Sequence, residues 1–393
     1  VARDAQGKLY AWGENGAGQL GDGSSLSVGL PQTVVGLPQI QQLDAGGAHT
    51  VALAYDGSVW TWGNNQCGQL GIGSTTYPYM PQRVPSMDGV SQVQAGYLHT
   101  MAVKRDGSVW AWGCNEAGQL GDGSRVNRSS PVQVQQLQGV KQLALGSQSS
   151  VALKSDGSLL TWGNWGPTIP TLIGGVSDVI DVVGNDDHFL ARKTDGTVWV
   201  WGSNFAGQFG DGTIGNRRDA PVQIAGLENI VEVVAGRSHS LARRADGRIF
   251  GWGESYGLKP TWLFWLAPGN INQLSAGETF SLGLRRDGRI AAWGANGDGQ
   301  MGVGGEQFRS TPTSVLDPML PANTQGAYPV VEYENKAIIG GRYFITNQME
   351  ETKALDGIGI AGGFERTGRA WRAWPTLSDI PAGVSAKPVY RFY

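Results

Sequence analysis

Alternating apolar and polar residues flank an Asp-Gly pair that recurs along the chain. A clear example is Val51-Ala-Leu-Ala-Tyr55, followed by Asp56-Gly57 and Ser58-Val-Trp-Thr-Trp62. Alternation predicts strands, and Asp-Gly between two strands predicts a tight hairpin turn in which both residues adopt positive φ. The pair returns at Asp106-Gly107, Asp156-Gly157, Asp195-Gly196, Asp246-Gly247 and Asp287-Gly288, and Gln6-Gly7 replaces it in the first repeat. The sequence therefore predicts seven hairpins.

A Trp-Gly dipeptide ends the second strand of each hairpin. Its tryptophans are spaced 39–51 residues apart and are Trp12, Trp62, Trp112, Trp162, Trp201, Trp252 and Trp293. Five of them are followed by N-x-x-G-Q-[LFM]-G-x-G, which begins at Asn15, Asn65, Asn115, Asn204 and Asn296. One further strand after this segment and one that ends in Ala-Gly bring each repeat to four strands. Periods of 40–50 residues with four strands each are typical of β-propeller blades.

Three repeated motifs resemble those of the regulator of chromosome condensation repeat family. They are W-G-x-N-x-x-G-Q-L-G-x-G, A-G-x-x-H-[ST] and D-G-x-[VL]-[WY]-x-W-G, and they extend over residues 1 to about 316. The resemblance implies an all-β fold, a seven-bladed propeller of four-stranded blades. We predict this propeller at residues 1–316, a linker at 317–329 and a small α+β module at 330–393.

Three repeats depart from the pattern. The fourth continues from Gly163 through residues 164–167 directly to its next strand, and the sixth has Glu254-Ser-Tyr-Gly257 in place of the long loop. We expect the ring to be thinner on one rim at these two blades. The first repeat lacks the strand that should precede Val1, and we expect the natural chain to extend upstream.

The C-terminal segment has a different pattern. We predict strands at 330–333, 342–346 and 363–374, and a helix at 348–356 that Asn347 caps. The segment resembles a small module that ends many secreted bacterial proteins, and Pro388–Tyr393 begins a second copy. This resemblance implies a bacterial protein of the cell envelope or exterior.

Composition and charge exclude several classes of protein. Lys and Arg number 30 against 33 Asp and Glu, for a net charge of −3, so no broad cationic surface for nucleic acid is expected. The 15 Trp residues argue against a disordered chain. No apolar run is long enough to span a membrane.

The four histidines occupy the same position in different repeats. They are His49, His99, His188 and His239, and each lies seven residues before its Asp-Gly pair. Equivalent positions in a ring do not converge on one ion, so we expect each imidazole to hydrogen-bond neighbouring backbone or a loop. Ser149 and Phe280 take this position elsewhere, which indicates a tolerant packing site.

Other residue patterns suggest chemistry but favour structural roles. The Gly-Asp-Gly loops at Asp22, Asp122 and Asp211 offer one carboxylate each, whereas calcium needs six to eight oxygens. Paired tryptophans such as Trp60 and Trp62 invite comparison with a light-sensing family member, but inter-blade packing is the better interpretation. We predict no metal, no cofactor and no catalytic set, and hence a protein that is not an enzyme.

Cys67 and Cys114 lie on loops of adjacent repeats. A disulfide between blades two and three is conceivable, with free thiols as the default.

Candidate partner-binding residues lie in two irregular segments. Those of the sixth repeat are Tyr256, Trp262, Phe264 and Trp265, and those of the fifth are Arg217 and Arg218. Aromatic residues at a shortened rim can form the centre of an interface, with packing between blades and solvated charge as the alternatives.

Three functions remain open. The first is a non-catalytic protein-binding propeller for interaction or assembly, which includes a filament subunit completed by its neighbour. The second, implied by the family resemblance, is guanine nucleotide exchange on a small GTPase. The third is an adhesin that binds glycans through exposed Trp and Tyr. We predict the first, with a protein partner or self-assembly.

Overall fold

A computed structural model shows a seven-bladed β-propeller, as the repeats predict. It describes residues 1–4, 7–164, 166–186, 188–215, 217–266, 268–303 and 309–315, together with the backbone of five short strands between 336 and 374. Blades are numbered here in chain order by their Trp-Gly pair.

The first four blades contain fifteen strands. Blade one has β1 (Ala2–Arg3), β2 (Leu9–Gly13) and β3 (Val28–Val34); blade two has β4 (Ile40–Ala45), β5 (His49–Ala54), β6 (Val59–Gly63) and β7 (Gln82–Arg83). Blade three has β8 (Val90–Ala95), β9 (His99–Lys104), β10 (Val109–Gly113) and β11 (Arg128–Gln133), and blade four has β12 (Val140–Leu145), β13 (Ser149–Lys154), β14 (Leu159–Gly163) and β15 (Thr171–Leu172).

The last three blades contain four strands each. Blade five has β16 (Val179–Asn185), β17 (His188–Lys193), β18 (Val198–Gly202) and β19 (Arg218–Gln223); blade six has β20 (Ile230–Ala235), β21 (His239–Arg244), β22 (Ile249–Gly253) and β23 (Gly257–Trp262). Blade seven has β24 (Ile271–Ala276), β25 (Phe280–Arg285), β26 (Ile290–Gly294) and β27 (Arg309–Ser314). Strands within each blade pair antiparallel in sequence order.

The predicted hairpins form, but their turn type differs from the prediction. Gly57 adopts a φ of +85°, whereas Asp56 does not have a positive φ. The Asp56 carboxylate instead accepts hydrogen bonds from the backbone N–H and the hydroxyl of Ser58 at 2.8 and 2.7 Å. This side-chain bond stabilises the turn without positive φ at Asp56. The expectation that both turn residues adopt positive φ was therefore wrong.

The strands that end in Ala-Gly line the centre of the ring. Successive members of this set, such as β4 and β8 or β20 and β24, contact each other. They surround a central cavity of about 520 Å³. Asp44 of β4 lies on this cavity and accepts hydrogen bonds from Gln94 Nε2 at 2.5 Å and from Ala95 N at 2.7 Å. Burial raises the pKa of Asp44 to about 7.

Blade seven contacts blade one and closes the ring. The Trp12 indole N–H donates to the backbone carbonyl of Gln300 at 2.8 Å. Blade one has three strands as the structure describes it, and the absent one is the cavity-facing strand, in agreement with the repeat alignment.

The C-terminal strands form two small sheets. β28 (Lys336–Ile339), β29 (Arg342–Ile345) and β30 (Lys353–Asp356) make one, and β31 (Gly363–Thr367) and β32 (Ala370–Trp374) make the other. β29, β31 and β32 coincide with predicted strands. Residues 353–356 form a strand where the sequence predicted the end of a helix. The start of that helix, the strand at 330–333 and the linker lie outside the described residues, so the α+β module stays a prediction.

Candidate functional site

The segment N-x-x-G-Q-[LFM]-G-x-G, here called the repeat loop, is held together by its asparagine. Asn115 is fully buried; its Oδ1 accepts from the backbone N–H of Leu120 at 2.9 Å. Its Nδ2 donates to the carbonyls of Ser124 and Val126, each at 3.2 Å. These bonds turn the loop so that Leu120 packs beside Trp162 of the next blade. A repeat loop therefore covers the Trp-Gly tryptophan of the blade that follows it.

Indole N–H groups bond the blades together through these loops. Four tryptophans donate at 2.8–2.9 Å to the backbone carbonyl of the glutamine in the preceding repeat loop; they are Trp12 to Gln300, Trp62 to Gln19, Trp162 to Gln119 and Trp252 to Gln208. Trp112 is buried with its N–H unpaired. The repeat loop thus supplies both an apolar side chain and a hydrogen-bond acceptor to its neighbour.

In blades two, three and four, a hydroxyl also bonds to the glutamine of the preceding repeat loop. Thr50, Thr100 and Ser150 donate to the carbonyls of Gln19, Gln69 and Gln119 at 3.0, 2.8 and 2.8 Å, respectively.

The histidines complete this link between blades. Each imidazole Nε2 lies 2.9–3.0 Å from a hydroxyl of the next blade, in the pairs His49 with Thr100, His99 with Ser150, His188 with Ser240 and His239 with Ser281. Burial lowers the pKa of these histidines to about 4, 3, 3 and 4, so they are uncharged at neutral pH. The partner is a side-chain hydroxyl on a strand, so the expected bond to neighbouring backbone or a loop was wrong.

Blade six lacks a repeat loop, and Tyr256 takes its place. The Tyr256 hydroxyl accepts from the Trp293 indole N–H at 2.7 Å. Gly251 lies beneath the Tyr256 ring, and a Cβ at Gly251 would come within 2.9 Å of that ring. Tyr256, predicted to bind a partner, therefore bonds within the interface of blades six and seven.

Blade four also lacks a repeat loop, and there a cleft remains open. This cleft, between blades four and five, measures about 320 Å³. Phe189 and Trp201 lie buried at its base, Asn164 lines it from the short connection of blade four, and Arg217 and Asp219 lie exposed at its edge. No acceptor for the Trp201 indole N–H is found among the described residues.

The neighbouring residues have changed together with the missing loop. Phe189 stands where other blades have the Ser or Thr that bonds to the glutamine carbonyl, and its ring stacks on Trp201 with centroids 5.6 Å apart. Ser149 replaces the histidine that would need this hydroxyl, and Gly184 replaces an alanine whose Cβ would clash with the Phe189 ring. Ser149 is thus not simply a tolerated variant. Phe189 and Gly184 were not predicted from the sequence, although their departure from the repeat was the signal for them.

Charged groups at the edge of the cleft are exposed. Arg217 pairs with Asp219 at 3.1 Å, and the Asp219 side chain is 88 % exposed. The residue of blade three that is equivalent to Asp219 is Ser129, and it is covered by Gly68 of the preceding repeat loop. Arg218 is engaged within blade five, where it pairs with Asp211 at 2.9 Å and lies over the Phe209 ring. Of the two predicted arginines, only Arg217 lines the cleft.

The remaining predicted partner residues lie on blade six. Trp262 is 39 % exposed beneath the guanidinium of Arg248. Phe264 and Trp265 contact each other edge to face, and Trp265 packs on the core between blades six and seven. Of these three, only Trp262 has an exposed side chain, whereas Phe264 and Trp265 are partly buried.

Exposed apolar side chains are frequent on the rim that carries the repeat loops. They include Leu26, Tyr77, Val126, Phe205 and Ile214, of which Phe205 is 80 % exposed. Exposed apolar groups around a pocket are typical of interaction surfaces.

The two cysteines form a disulfide between blades two and three. The Cα atoms of Cys67 and Cys114 lie 4.9 Å apart and their sulfurs are bonded. The default expectation of free thiols is corrected by this geometry.

Within the described part of the chain, no group of three or more His, Cys, Asp or Glu side chains is placed to hold a metal ion. No helix there is long and apolar enough to cross a membrane.

Comparison with known sequences identifies the repeat. Two sequence models described as "Regulator of chromosome condensation (RCC1) repeat" match, the first at residues 6–53, 56–103, 106–153 and 195–243, and the second at 40–69, 90–119, 179–208 and 271–300. Together they cover more than half of the chain.

Among curated proteins, the chain is similar to Protein RCC2 of Homo sapiens and Protein pim1 of Schizosaccharomyces pombe. The first is 39 % identical over 94 residues, which are 23 % of this chain and 18 % of that protein. The second is 33 % identical over 103 residues, 22 % of this chain and 19 % of that protein. The matches thus span about a fifth of each relative's length.

Solved structures share the fold. Yeast RCC1 (Prp20), solved with Kap60 bound, superposes with a TM-score of 0.72 at 23 % identity, over 80 % of this chain and 85 % of that one. Human WBSCR16 superposes with a TM-score of 0.71 at 21 % identity, over 79 % and 95 %.

Proposed function

Because the chain belongs to the regulator of chromosome condensation (RCC1) repeat family, we propose that it is a non-catalytic, protein-binding propeller whose partner docks on the rim at the cleft between blades four and five. The main observation in support of this proposal is the open cleft between blades four and five. Among the described residues, it is the one site where the preceding blade provides neither a repeat loop nor a replacing side chain such as Tyr256 for a Trp-Gly tryptophan; Trp201 stacks instead on Phe189 of its own blade.

The chemistry of the cleft suits a protein ligand. Interfaces are centred on aromatic residues in largely desolvated pockets and surrounded by a polar rim. Phe189 and Trp201 supply such a base, while Arg217 and Asp219 supply the rim. Because an exposed ion pair contributes little to stability, both charges can exchange partners at low cost.

An extracellular or envelope location of a bacterial protein is part of the proposal. The disulfide of Cys67 and Cys114 supports it, since disulfides persist in oxidising compartments. Mass spectrometry of unreduced peptides from the natural protein tests it, and free thiols there would contradict this location.

Guanine nucleotide exchange on a small GTPase is the alternative that family membership favours. Prp20p of Saccharomyces cerevisiae, whose structure was reported with its binding to Gsp1p and histones, shares the fold. Release of a fluorescent nucleotide from a purified small GTPase distinguishes the two functions. Catalytic acceleration by this chain would replace the proposal of a binding-only protein.

Glycan adhesion and filament assembly remain further alternatives. Exposed aromatic residues such as Trp262 and Tyr77 support glycan binding. A glycan array and the sedimentation of the purified chain test these two alternatives.

Site-specific photo-crosslinking tests the proposed function. A photoreactive residue at Arg217, at the edge of the cleft, should cross-link a protein in the natural host. The same residue at Asn127, the equivalent exposed position of blade three, is the matched control. The captured protein is then purified, and its affinity is measured for the wild type and for Asp219→Arg. Equal cross-linking at both positions, or unchanged affinity, would refute docking at this cleft.

A further inference from the structure

Five blade junctions of this chain show what occupies the position that is open between blades four and five. At each of them, a repeat loop of the preceding blade fills it. In every repeat loop, a large apolar side chain is buried between two glycines; these side chains are Leu20, Leu70, Leu120, Phe209 and Met301. The residue before each of them is a glutamine, and its backbone carbonyl is the acceptor for a tryptophan of the next blade in four of the five cases.

We propose that the cleft is a receptor for a glycine-flanked loop of the partner protein that has the form of the chain's own repeat loops. A Leu, Met or Phe side chain of that loop enters the cleft above Phe189. The carbonyl before it accepts from the Trp201 indole N–H. This inference rests on the proposed function and specifies the ligand of that site.

The geometry of the regular blades supports this occupant. Gly163 and Asn164 begin the short connection of blade four, and Gly63 and Asn64 are the equivalent residues directly before the repeat loop of blade two. Asn64 N donates to the Ala48 carbonyl at 2.8 Å, and Asn164 N donates to the Gln148 carbonyl at 2.7 Å. The two connections therefore make the same hydrogen bond as they leave the blade and diverge at Asn164, which has a φ of +53° where Asn64 does not have a positive φ. The cleft lies where the loop would continue.

The volume fits a short peptide loop. A cleft of about 320 Å³ is at the lower end of the range for ligand pockets. No acceptor for the Trp201 N–H is found among the described residues, and a ligand that covers this donor must supply one, which favours one apolar side chain and one carbonyl over a purely apolar group.

A second copy of this chain is a poorer occupant. The five repeat loops are each seated on the next blade, with the apolar side chain at most 3 % exposed. To enter the cleft of another molecule, such a loop would first have to leave its own site. A separate partner protein does not incur this cost.

Calorimetric titration of the full chain with a cyclic peptide tests the proposal. The peptide reproduces residues 15–27, whose ends are near each other in the structure, since Asn15 N donates to Ser27 Oγ at 3.2 Å. We expect one peptide to bind per chain, because one site of this kind is open. Replacement of Leu20 by Ala within the peptide should weaken binding about thirtyfold.

Two protein variants locate the binding. Trp201→Phe keeps an aromatic ring but removes the indole N–H together with the five-membered ring, and should weaken binding about fivefold. Trp112→Phe is the matched control, because the site around Trp112 is already filled and its N–H has no partner. It should leave the affinity unchanged.

A loop graft tests the same site without changing Trp201, so the proposal can still be tested if the Trp201 variant does not fold. Residues 164–166 are replaced by residues 64–77 with Ala at the position of Cys67, together with Phe189→Ser to restore the regular hydroxyl. We expect this chimera to lose peptide binding and to keep or raise its melting temperature. No peptide binding by the wild type, more than one peptide per chain, or equal affinity of the Trp201 and Trp112 variants would overturn the proposal.

The outcomes separate the inference from the proposed function. If a partner cross-links at Arg217 but the peptide does not bind, the function stands and the loop is wrong as ligand. If the peptide binds but the graft does not weaken binding of the captured partner, the partner docks elsewhere. If the wild type is a dimer that the graft makes monomeric, a second copy is the occupant and the inference is refuted.

Discussion

Acid should weaken the ring through its buried histidines, and His99 allows this to be measured. His99 Nε2 lies 3.0 Å from Ser150 Oγ, and Nδ1 is buried without a partner. Burial, with a smaller effect of His49, lowers the pKa of His99 to about 3. The pKa in the unfolded chain is near 6.5. Below pH 6.5 the unfolded chain therefore binds a proton that the folded chain does not, and stability is lost as the pH falls toward 3.

The size of the effect follows from proton linkage. One proton of difference changes the free energy of unfolding by about 1.4 kcal/mol per pH unit. His49, His188 and His239 have pKa values lowered in the same way, to about 4, 3 and 4. Asp44 opposes them by one proton, because burial raises its pKa to about 7 and the folded chain binds that proton first. Around pH 5 the net loss is about 4 kcal/mol per pH unit, a large part of the stability of a typical domain.

Urea unfolding between pH 8 and pH 5, followed by circular dichroism, measures this slope. His99→Gln cannot titrate, and its slope should be smaller by about 1.4 kcal/mol per pH unit. Ser150→Ala is the control, because it removes the same hydrogen bond but keeps the titrating imidazole. It should lower stability at pH 8 and leave the slope as in the wild type. A His99→Gln curve parallel to the wild-type curve would refute the reasoning.

Three further changes should reduce stability by amounts that urea unfolding can resolve. Tyr256→Phe removes the acceptor of a buried indole N–H, and should lower the free energy of unfolding by about 1–3 kcal/mol; an unchanged value would show that the phenol does not replace a repeat loop. Cys67→Ser with Cys114→Ser opens a loop with a sequence separation of 47, and should cost about 4 kcal/mol, with no further loss on adding reductant. Asn115→Ala leaves a repeat loop without its central side-chain bonds and should cost about 3 kcal/mol, whereas a loss below about 1 kcal/mol would mean that other contacts hold the loop.

The architecture could be predicted because the same sequence repeat occurs seven times in the chain. The Trp-Gly period, the Asp-Gly hairpins and the repeat loop each recur, so an error in one repeat is corrected by the others. The missing first strand of blade one and the absent loop of blade four were visible as gaps in an alignment of the chain with itself.

The site could be predicted only in part, because it depends on what lies across a blade interface. Blades four and six show the same gap in sequence, yet Tyr256 fills one and the other stays open. The direction of the Tyr256 side chain depends on the space left by Gly251 on the neighbouring strand, which the sequence alone does not reveal. Likewise, Ser149 and Phe189 are 40 residues apart and become a pair only when blades four and five are adjacent.

The links between blades bear on how such a ring can be inherited. A loop on blade four, the hydroxyl position of blade five and the histidine position of blade four change as a set, as Ser149, Phe189 and Gly184 show. Duplication or exchange of one whole repeat would separate these residues and leave a carbonyl, a hydroxyl or an imidazole without its match. Although repeat proteins are stabilised by contacts between neighbours, the portion of this gene that can be transferred intact is the junction between two blades. Recombination points in the middle of a blade, rather than at its ends, would preserve a functional propeller.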